Sequence, residues 1–235
     1  IINSAFYQGD ILTIYAIIGF GLIPVAKLKD SWVLIIATLL MLQPYEWINF
    51  ACALQHPEVT PANPASWAYF GKMGEYIPKD SFIDTVVGNL TNGRPAVFNW
   101  SWENGRVFQT LSLFMLGMLA GRKGLFKESD SNIRFWKKAL VISLVAFIPL
   151  FQAKTNVGTW YTSEALIRPL GVILSSWANL AFMIFLVSSF VLLYRTSLFN
   201  KALNLLAPIG RMSLSNYIIQ SILGSFIYYG GMSCT

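Results

Sequence analysis

The stretch "GVILSSWANLAFMIFLVSSFVLLY" (171–194) runs through 24 positions without a charged side chain. An α-helix rises about 1.5 Å per residue, so about 20 apolar residues cross the roughly 30 Å hydrocarbon core of a bilayer. The apolar residues are continuous and do not alternate with polar ones as in the strands of a membrane barrel. This stretch therefore predicts a membrane-spanning helix in an all-α protein.

The composition extends this prediction to the whole chain. Hydrophobic residues make up 55% of the sequence and charged residues 12%, whereas a soluble domain carries roughly 25% charged residues. We therefore expect one polytopic transmembrane helix bundle that occupies residues 1–235 as a single domain. Its six predicted spans are about 10–28, 31–53, 106–121, 135–152, 171–194 and 208–229.

The net charge of +6 is explained better by membrane topology than by binding to nucleic acid. If the spans alternate in direction, 11 of the 17 lysines and arginines fall on one side of the membrane and six on the other, in longer loops. Positively charged loops stay in the cytoplasm. The count predicts that the loop 54–105 and the C-terminus face outward.

The predicted outer loop 54–105 is rich in aromatic residues, among them Trp67, Trp100 and Trp102. Tryptophan and tyrosine are common at membrane interfaces, so one interpretation is an interfacial belt. The other is a lid over a pocket that opens outward.

The last predicted span, within "GRMSLSNYIIQSILGSFIYYG" (210–230), places its polar side chains on one face. At about 100° per residue, that face occupies about 140° of arc. It could bond to neighbouring helices or line a substrate path, and both interpretations stay open at this point. The face consists of Ser213, Asn216, Tyr217, Gln220, Ser221, Gly224 and Tyr228.

Ionisable and amide side chains also occur near the predicted outer boundary and inside the fifth span. Asp10 either caps the first span or belongs to a site, since ionisable groups within a bilayer are costly and tend to be functional. Glu46 could pair with Arg106, one turn from Gln109. Asn179 is expected to face the interior of the bundle.

Residues that could carry out acid–base catalysis are few. His56 is the only histidine, and histidine is the commonest general base; Glu46 and Asp10 are the other weak candidates. The motifs of metal, ATP and serine-hydrolase sites are absent from the sequence, so no metal site is predicted. Cys52 and Cys234 are either bridged or unpaired.

Three ordered stretches carry a family resemblance: "YQGDILTIYAIIGF" (7–20), "RVFQTLSLFMLGMLAGRKGLF" (106–126) and "IGRMSLSNYIIQSILGSFIYYG" (209–230). They resemble signature stretches of the YeiB-like family of bacterial inner-membrane proteins, which carry a domain of unknown function. The family is distantly similar to membrane acyltransferases, and its members have further helices before Gly-Asp-Ile-Leu. A chain that begins at Ile1 is therefore expected to be the C-terminal part of a longer protein.

The resemblance implies an inner-membrane protein that transfers an acyl group from a cytoplasmic thioester to an acceptor at or across the membrane. Arg211 lies near a helix start, where backbone N–H groups and a guanidinium favour a phosphate-bearing donor such as acyl-coenzyme A; the other interpretation is a cytoplasmic anchor that follows the positive-inside rule. No permanently bound cofactor is expected, and membrane lipids are the other expected partners. Many relatives place a histidine near the position of Asn3, and asparagine cannot act as a base at neutral pH.

Two other classes of function fit the same residues. A transporter or lipid-handling protein without covalent chemistry would use the polar face of the last span as a path. A structural membrane protein would use it only to join helices.

Overall fold

The computed structural model describes residues 2–77 and 81–228, and the regular elements of these residues are all helical. The all-α prediction is confirmed for this part of the chain. A π-helical turn, Asn89–Gly93, lies between α6 and α7. The α-helices of the described residues are α1 (Ile2–Phe6), α2 (Leu12–Phe20), α3 (Asp30–Met41), α4 (Pro44–Gln55), α5 (Ala65–Tyr76), α6 (Phe82–Gly88), α7 (Arg94–Glu103), α8 (Arg106–Arg122), α9 (Asp130–Thr155), α10 (Val157–Trp160), α11 (Glu164–Tyr194), α12 (Ser197–Arg211) and α13 (Ser213–Tyr228).

The helices cluster into two compact units. Unit 1 comprises the described residues of Ile1–Phe20, Asn63–Asn104 and Leu205–Thr235, and unit 2 comprises Gly21–Ala62 and Gly105–Asn204. The prediction of a single transmembrane domain stays a prediction.

Two segments of the described residues are long and apolar enough to cross a membrane, Asp30–Gln55 and Glu164–Tyr194. They correspond to the predicted spans 31–53 and 171–194. The predicted spans 106–121 and 135–152 lie within α8 and α9. The six-span arrangement stays a prediction.

Three predicted boundaries differ from the structure. In the first span, 10–28, the regular helix is limited to α2 and ends at Phe20, because Pro24 has no N–H and disfavours helix in the residue before it. The second span is divided before Pro44, where Gln43 has a left-handed φ of 59°. In the last span, 208–229, α12 ends at Arg211 and α13 begins at Ser213.

The segment predicted as the loop 54–105 contains the helices α5, α6 and α7. Two of its helix starts are capped by side chains: the Ser81 hydroxyl accepts from the N–H of Asp84 at 3.3 Å at the start of α6, and Glu103 accepts from Ser66 at the start of α5. The Glu103 contacts are 3.2 Å from the Ser66 N–H and 2.5 Å from its hydroxyl. Such caps satisfy the N–H groups that a helix start leaves unpaired.

Unit 1 is assembled around the end of α1. The Asn89 amide donates to the Ala5 carbonyl at 3.1 Å and accepts from the Tyr76 hydroxyl at 3.1 Å. The Ser225 hydroxyl of α13 donates to the next carbonyl, that of Phe6. The Phe6 ring in turn lies 5.9 Å from that of Phe82 and 6.4 Å from that of Phe226, between centroids.

Unit 2 has its apolar core between α3 and α8. Val33, Ala37, Met115 and Leu119 are buried there, and the Ser112 hydroxyl donates to the Ala37 carbonyl at 2.7 Å. On the other side of the unit, α11 packs against α9 and α4.

The break before α4 is held by the side chain of Gln43, which is fully buried. Its amide Nε2 donates to the Gly105 carbonyl and to the Ser176 hydroxyl, both at 2.9 Å. Gly105 has a φ of 63°, and a Cβ there would lie 2.7 Å from Gln43 Oε1 and 2.7 Å from Val172. A glycine is therefore required at position 105 by both its backbone conformation and its neighbours.

We predict that Gly105→Ala destabilises the protein. A strained non-glycine residue costs about 1–3 kcal/mol, which corresponds to a fall of roughly 2–10 °C in Tm for a chain of this size. The measurement is tryptophan-fluorescence thermal unfolding of the full-length protein in detergent.

The matched control is Gly117→Ala in the middle of α8, where no described atom lies within 4 Å of an added Cβ. Alanine favours helix over glycine by about 1 kcal/mol, so this variant should be neutral or slightly more stable. Equal Tm values for the two variants would contradict the role assigned to Gly105.

Candidate functional site

The polar face of α13 lines a cavity in unit 1 with a volume of about 290 Å³. Aromatic rings and hydroxyl or amide groups share its surface. The lining residues are Phe6, Tyr7, Tyr217, Gln220, Ser221, Gly224 and Ser225. Tyr217, Gln220 and Ser221, which helical periodicity placed on one face, line this cavity together; their role in binding a substrate stays a prediction.

The carboxylate of Asp10, in the same unit, is 5% exposed and accepts four hydrogen bonds. Asn3 Nδ2 donates to Oδ1 at 2.7 Å, together with the Leu12 N–H at 3.1 Å. The hydroxyls of Ser4 and Thr13 donate to Oδ2 at 2.6 Å and 3.0 Å. Asp10 thus caps the start of α2, as one of the two interpretations expected, and also joins α1 to α2.

Tyr217 connects this buried carboxylate to the cavity. Its phenol lies beside the Asn3 side chain and the Ile11 backbone, within electrostatic reach of Asp10 and Tyr7. Asn3 Oδ1 is buried without a hydrogen-bond partner among the described residues. Buried acceptors are normally paired, so this oxygen is an unmatched polar atom behind Tyr217, although Asn3 is not among the residues that line the cavity.

The other predicted residues of α12 and α13 lie outside the lining of this cavity. Arg211 and Ser213 are exposed, and Asn216 is half-buried. Arg211 is the last residue of α12, where Met212 N–H is shared between the carbonyls of Pro208 and Ile209 at 3.3 Å and 3.2 Å. Such sharing is common where a helix tightens at its end, and α13 begins at the next residue.

In unit 2, a second polar cluster surrounds the Gln43 side chain. Gln109 is 3% exposed, and its amide donates to the Ser176 carbonyl at 3.2 Å. Arg106 Nη1 donates to Gln109 Oε1 at 2.8 Å. The sequence placed Gln109 one turn from Arg106, but the partner expected for Arg106 was Glu46, and Gln43 was not selected. The apolar surroundings of Gln43, directly before Pro44, are the signal that could have identified it.

The three remaining residues that were selected from the sequence form none of the hydrogen bonds described above for the Gln43 cluster. Glu46 is 6% exposed at the start of α4, and Asn49 Nδ2 lies 3.4 Å from its Oε2; its predicted pairing with Arg106 stays a prediction. His56 is 70% exposed, with Nδ1 3.6 Å from Glu58 Oε1. Asn179 is half-buried in α11.

Two further predictions concern metals and cysteines. No group of histidine, cysteine or carboxylate side chains that could hold a metal ion occurs among residues 2–77 and 81–228. Cys52 is exposed with a free thiol, and Cys234 lies outside the described residues.

Asn3, Ser4 and Tyr7 were not selected as site residues from the sequence. Their contribution depends on the contact of α1 with Asp10 and α13, which residue spacing alone does not reveal. The family resemblance drew attention to position 3 only as a departure from a histidine.

Comparison with known proteins connects the chain to proteins without an assigned activity. Residues 120–233 match the model of a family described as "Protein of unknown function (DUF418)", which is the YeiB-like family that the sequence motifs resemble. The chain is also 26% identical over 236 aligned positions to the uncharacterized protein YxaH of Bacillus subtilis (strain 168). That alignment covers 95% of this chain and 54% of YxaH, so the chain spans about half the length of that relative. No solved structure matches.

We predict that Asp10→Ala destabilises unit 1 more than Asp10→Asn does. Alanine leaves the Asn3, Ser4 and Thr13 donors without their acceptor, and each unpaired buried group costs about 1–3 kcal/mol. Asparagine keeps one side-chain acceptor, and the two hydroxyls can rotate to accept from its amide. Thermal unfolding in detergent should therefore rank the wild type first, Asp10→Asn second and Asp10→Ala last.

Asp84→Ala, on the exposed surface of α6, is the control for loss of a carboxylate in the same unit. If Asp10→Ala proved as stable as Asp84→Ala, or more stable than the wild type, the structural role assigned to Asp10 would be wrong. A more stable Asp10→Ala variant would instead be expected if Asp10 belonged to an active site whose residues are kept for activity at a cost in stability.

Proposed function

We propose that this chain forms part of a multi-pass protein of the bacterial inner membrane that transfers an acyl group. The donor would be a cytoplasmic acyl thioester such as acyl-coenzyme A, and the acceptor would lie at or across the membrane. The observation that carries the proposal is the cavity of unit 1, which Tyr217, Gln220 and Ser221 line and which adjoins the buried Asp10 cluster through Tyr217.

The proposed membrane arrangement has six spans, with the segment 54–105 and the C-terminus outside. Two long apolar helical segments, Asp30–Gln55 and Glu164–Tyr194, support membrane residence. The asymmetry of lysine and arginine residues supports the direction.

The proposed reaction divides unit 1 into a donor end and an acceptor chamber. Arg211 would hold donor phosphates beside the first turn of α13, where N–H groups at a helix start favour anions. Tyr217 lies six residues further along, about 9 Å at 1.5 Å per residue. In the cavity an acceptor oxygen or nitrogen would bond to the acyl carbon while the carbon–sulfur bond breaks, and its proton would pass to the released thiolate.

The cavity residues suit the positioning of an acceptor more than they suit proton abstraction. The Tyr7 and Tyr217 hydroxyls and the Gln220 amide can bind a polar acceptor or a carbonyl oxygen. The Ser221 and Ser225 hydroxyls already donate to the carbonyls of Tyr217 and Phe6, so they can only accept from a ligand. The carboxylate of Asp10 is already occupied by four donors and so holds Asn3 and Ser4 in place. His56, the predicted base, belongs to unit 2.

The same observation favours the second candidate, a transporter or lipid-handling protein without covalent chemistry. An amphipathic cavity with Phe6, Tyr7 and Tyr217 in its wall would hold a lipid headgroup or a small amphiphile. The two functions differ in whether a thioester donor binds beside the cavity.

The test is binding of coenzyme A and acetyl-coenzyme A to the full-length protein by isothermal titration calorimetry. We expect saturable binding that Arg211→Ala weakens by about tenfold, which is about 1.4 kcal/mol and typical of a lost charge-assisted hydrogen bond. Lys137→Ala is the matched control, because it removes an exposed positive charge on the same predicted side of the membrane.

The variant Gly224→Leu tests the cavity independently of the proposed donor site at Arg211. Gly224 lines the cavity and has no described atom within 4 Å of an added Cβ, so leucine would fill the space without a backbone clash. Acyl transfer predicts unchanged coenzyme A binding in this variant, with loss of co-purified acceptor or lipid in native mass spectrometry. A well-folded wild type that binds neither thioester nor free coenzyme A would refute acyl transfer. If it still carried a lipid that Gly224→Leu removes, the lipid-handling function would be favoured.

A further inference from the structure

Helix α12 (Ser197–Arg211) has a sharply divided surface. At about 100° per residue, the apolar residues occupy roughly 160° of arc and the polar ones roughly 100° on the opposite side. The apolar face includes Phe199, Leu203, Leu205, Leu206 and Ile209. The polar face consists of Ser197, Asn200, Lys201, Asn204 and Arg211.

The apolar face of α12 is uncovered. Leu205 is 81% exposed, and Leu206 and Ile209 are more than half exposed. A helix with this pattern needs an apolar surface beneath it, because an exposed apolar face of this size is unfavourable in water.

The beginning of α12 is fixed to the end of α11. The Asn200 amide donates to the Tyr194 carbonyl at 3.3 Å, and the Tyr194 hydroxyl donates to Asn204 Oδ1 at 3.3 Å. Asn204 in turn donates to Asn200 Oδ1 at 2.8 Å. Since α11 ends at Tyr194, α12 starts at the level where α11 would leave the membrane.

The charges around α12 are all positive. Lys201 and Arg211 flank the polar face, Arg195 lies just before the helix, and the sequence has no aspartate or glutamate from 195 to 235. Lysine and arginine at the edge of an apolar face extend their charged ends toward headgroups. Basic residues beside a span also attract the anionic lipids of the cytoplasmic leaflet.

We propose that α12 is an in-plane helix that lies in the cytoplasmic leaflet and binds its anionic lipids. Its apolar face enters the boundary between headgroups and acyl chains, as in interfacial helices, while Lys201 and Arg211 contact lipid phosphates. Charge complementarity selects this partner, because a second copy of the chain would place the same positive charges opposite each other. The inference rests on the membrane orientation proposed above.

The test uses the full-length protein with Cys52→Ser and Cys234→Ser, reconstituted in vesicles of phosphatidylcholine with a minor fraction of phosphatidylglycerol. An environment-sensitive fluorophore is attached to one cysteine at a time, at Leu206→Cys on the apolar face or at Ser197→Cys on the polar face. Lipids with a nitroxide near the headgroup should quench the label at 206 about twofold more strongly than the label at 197, since interfacial helices are buried by roughly 5–10 Å on one face.

A third label, at Leu186→Cys on the exposed surface of α11, separates this inference from the membrane proposal. Quenching at 186 by lipids with a nitroxide deep in the acyl chain confirms that α11 spans the bilayer. If the label at 186 is quenched and the labels at 206 and 197 are quenched to the same extent, the in-plane helix is refuted while membrane residence stands. If the label at 186 is not quenched, both fail.

The lipid preference is tested with a variant that combines Arg195→Gln, Lys201→Gln and Arg211→Gln. In the parent protein, quenching at 206 should be stronger with phosphatidylglycerol than in phosphatidylcholine alone, and the variant should lose this difference. Equal quenching of the parent in both lipids would overturn the anionic preference. If the label at 206 is quenched in neither lipid composition and energy transfer occurs between labelled copies, the apolar face of α12 mediates self-association instead.

Discussion

The main constraint on this structure is that backbone carbonyls freed at helix ends must find donors in apolar surroundings. Water cannot supply them inside a protein or a bilayer, and an unpaired group costs several kcal/mol. Side chains meet this need in each unit: Asn89 and Ser225 bind the Ala5 and Phe6 carbonyls at the end of α1, and Trp177 binds the Met41 carbonyl at the end of α3. The exposed Arg122 does the same for the carbonyls of Ala26 and Leu28, and also pairs with Asp30 at 3.1 Å. Polar side chains are thus matched to several helix ends, which accounts for some of the buried amides and hydroxyls in so apolar a chain.

The same constraint decides how the polar groups of unit 1 are interpreted. Asp10 has its four donors, and Ser225 has the Phe6 carbonyl, so both are accounted for by structure alone. Asn3 Oδ1 is not, although Asn3 is 5% exposed. The cavity begins at Tyr217, the residue whose phenol lies beside Asn3. The best evidence for a ligand is the amphipathic cavity itself, and not the number of polar residues on the last helix.

The all-α fold was predictable because a long uncharged stretch such as 171–194 has few alternatives to a helix. Helix ends were less predictable. Pro24 and Pro44 are visible in the sequence, but the left-handed conformation of Gln43 depends on Gly105, 62 positions away. The segment 54–105 was expected to be a loop because its helices are short, and α5 gains its cap from Glu103, which is distant in sequence. For the site, periodicity placed Tyr217, Gln220 and Ser221 on one face, whereas Asn3 and Ser4 enter only through the packing of α1.

Arg211 has a part in both proposals, and the chemistry of its partners makes the two compatible. A coenzyme A donor and an anionic lipid each present phosphate oxygens, and a guanidinium binds such oxygens with two parallel hydrogen bonds. Its position is exposed and lies between α12 and the first turn of α13, so an approaching donor could replace a lipid phosphate without a change in the fold. Anionic lipid would then compete with the donor for Arg211 while holding α12 at the surface from which the donor arrives. In this arrangement the lipid composition of the cytoplasmic leaflet sets the apparent affinity for the thioester.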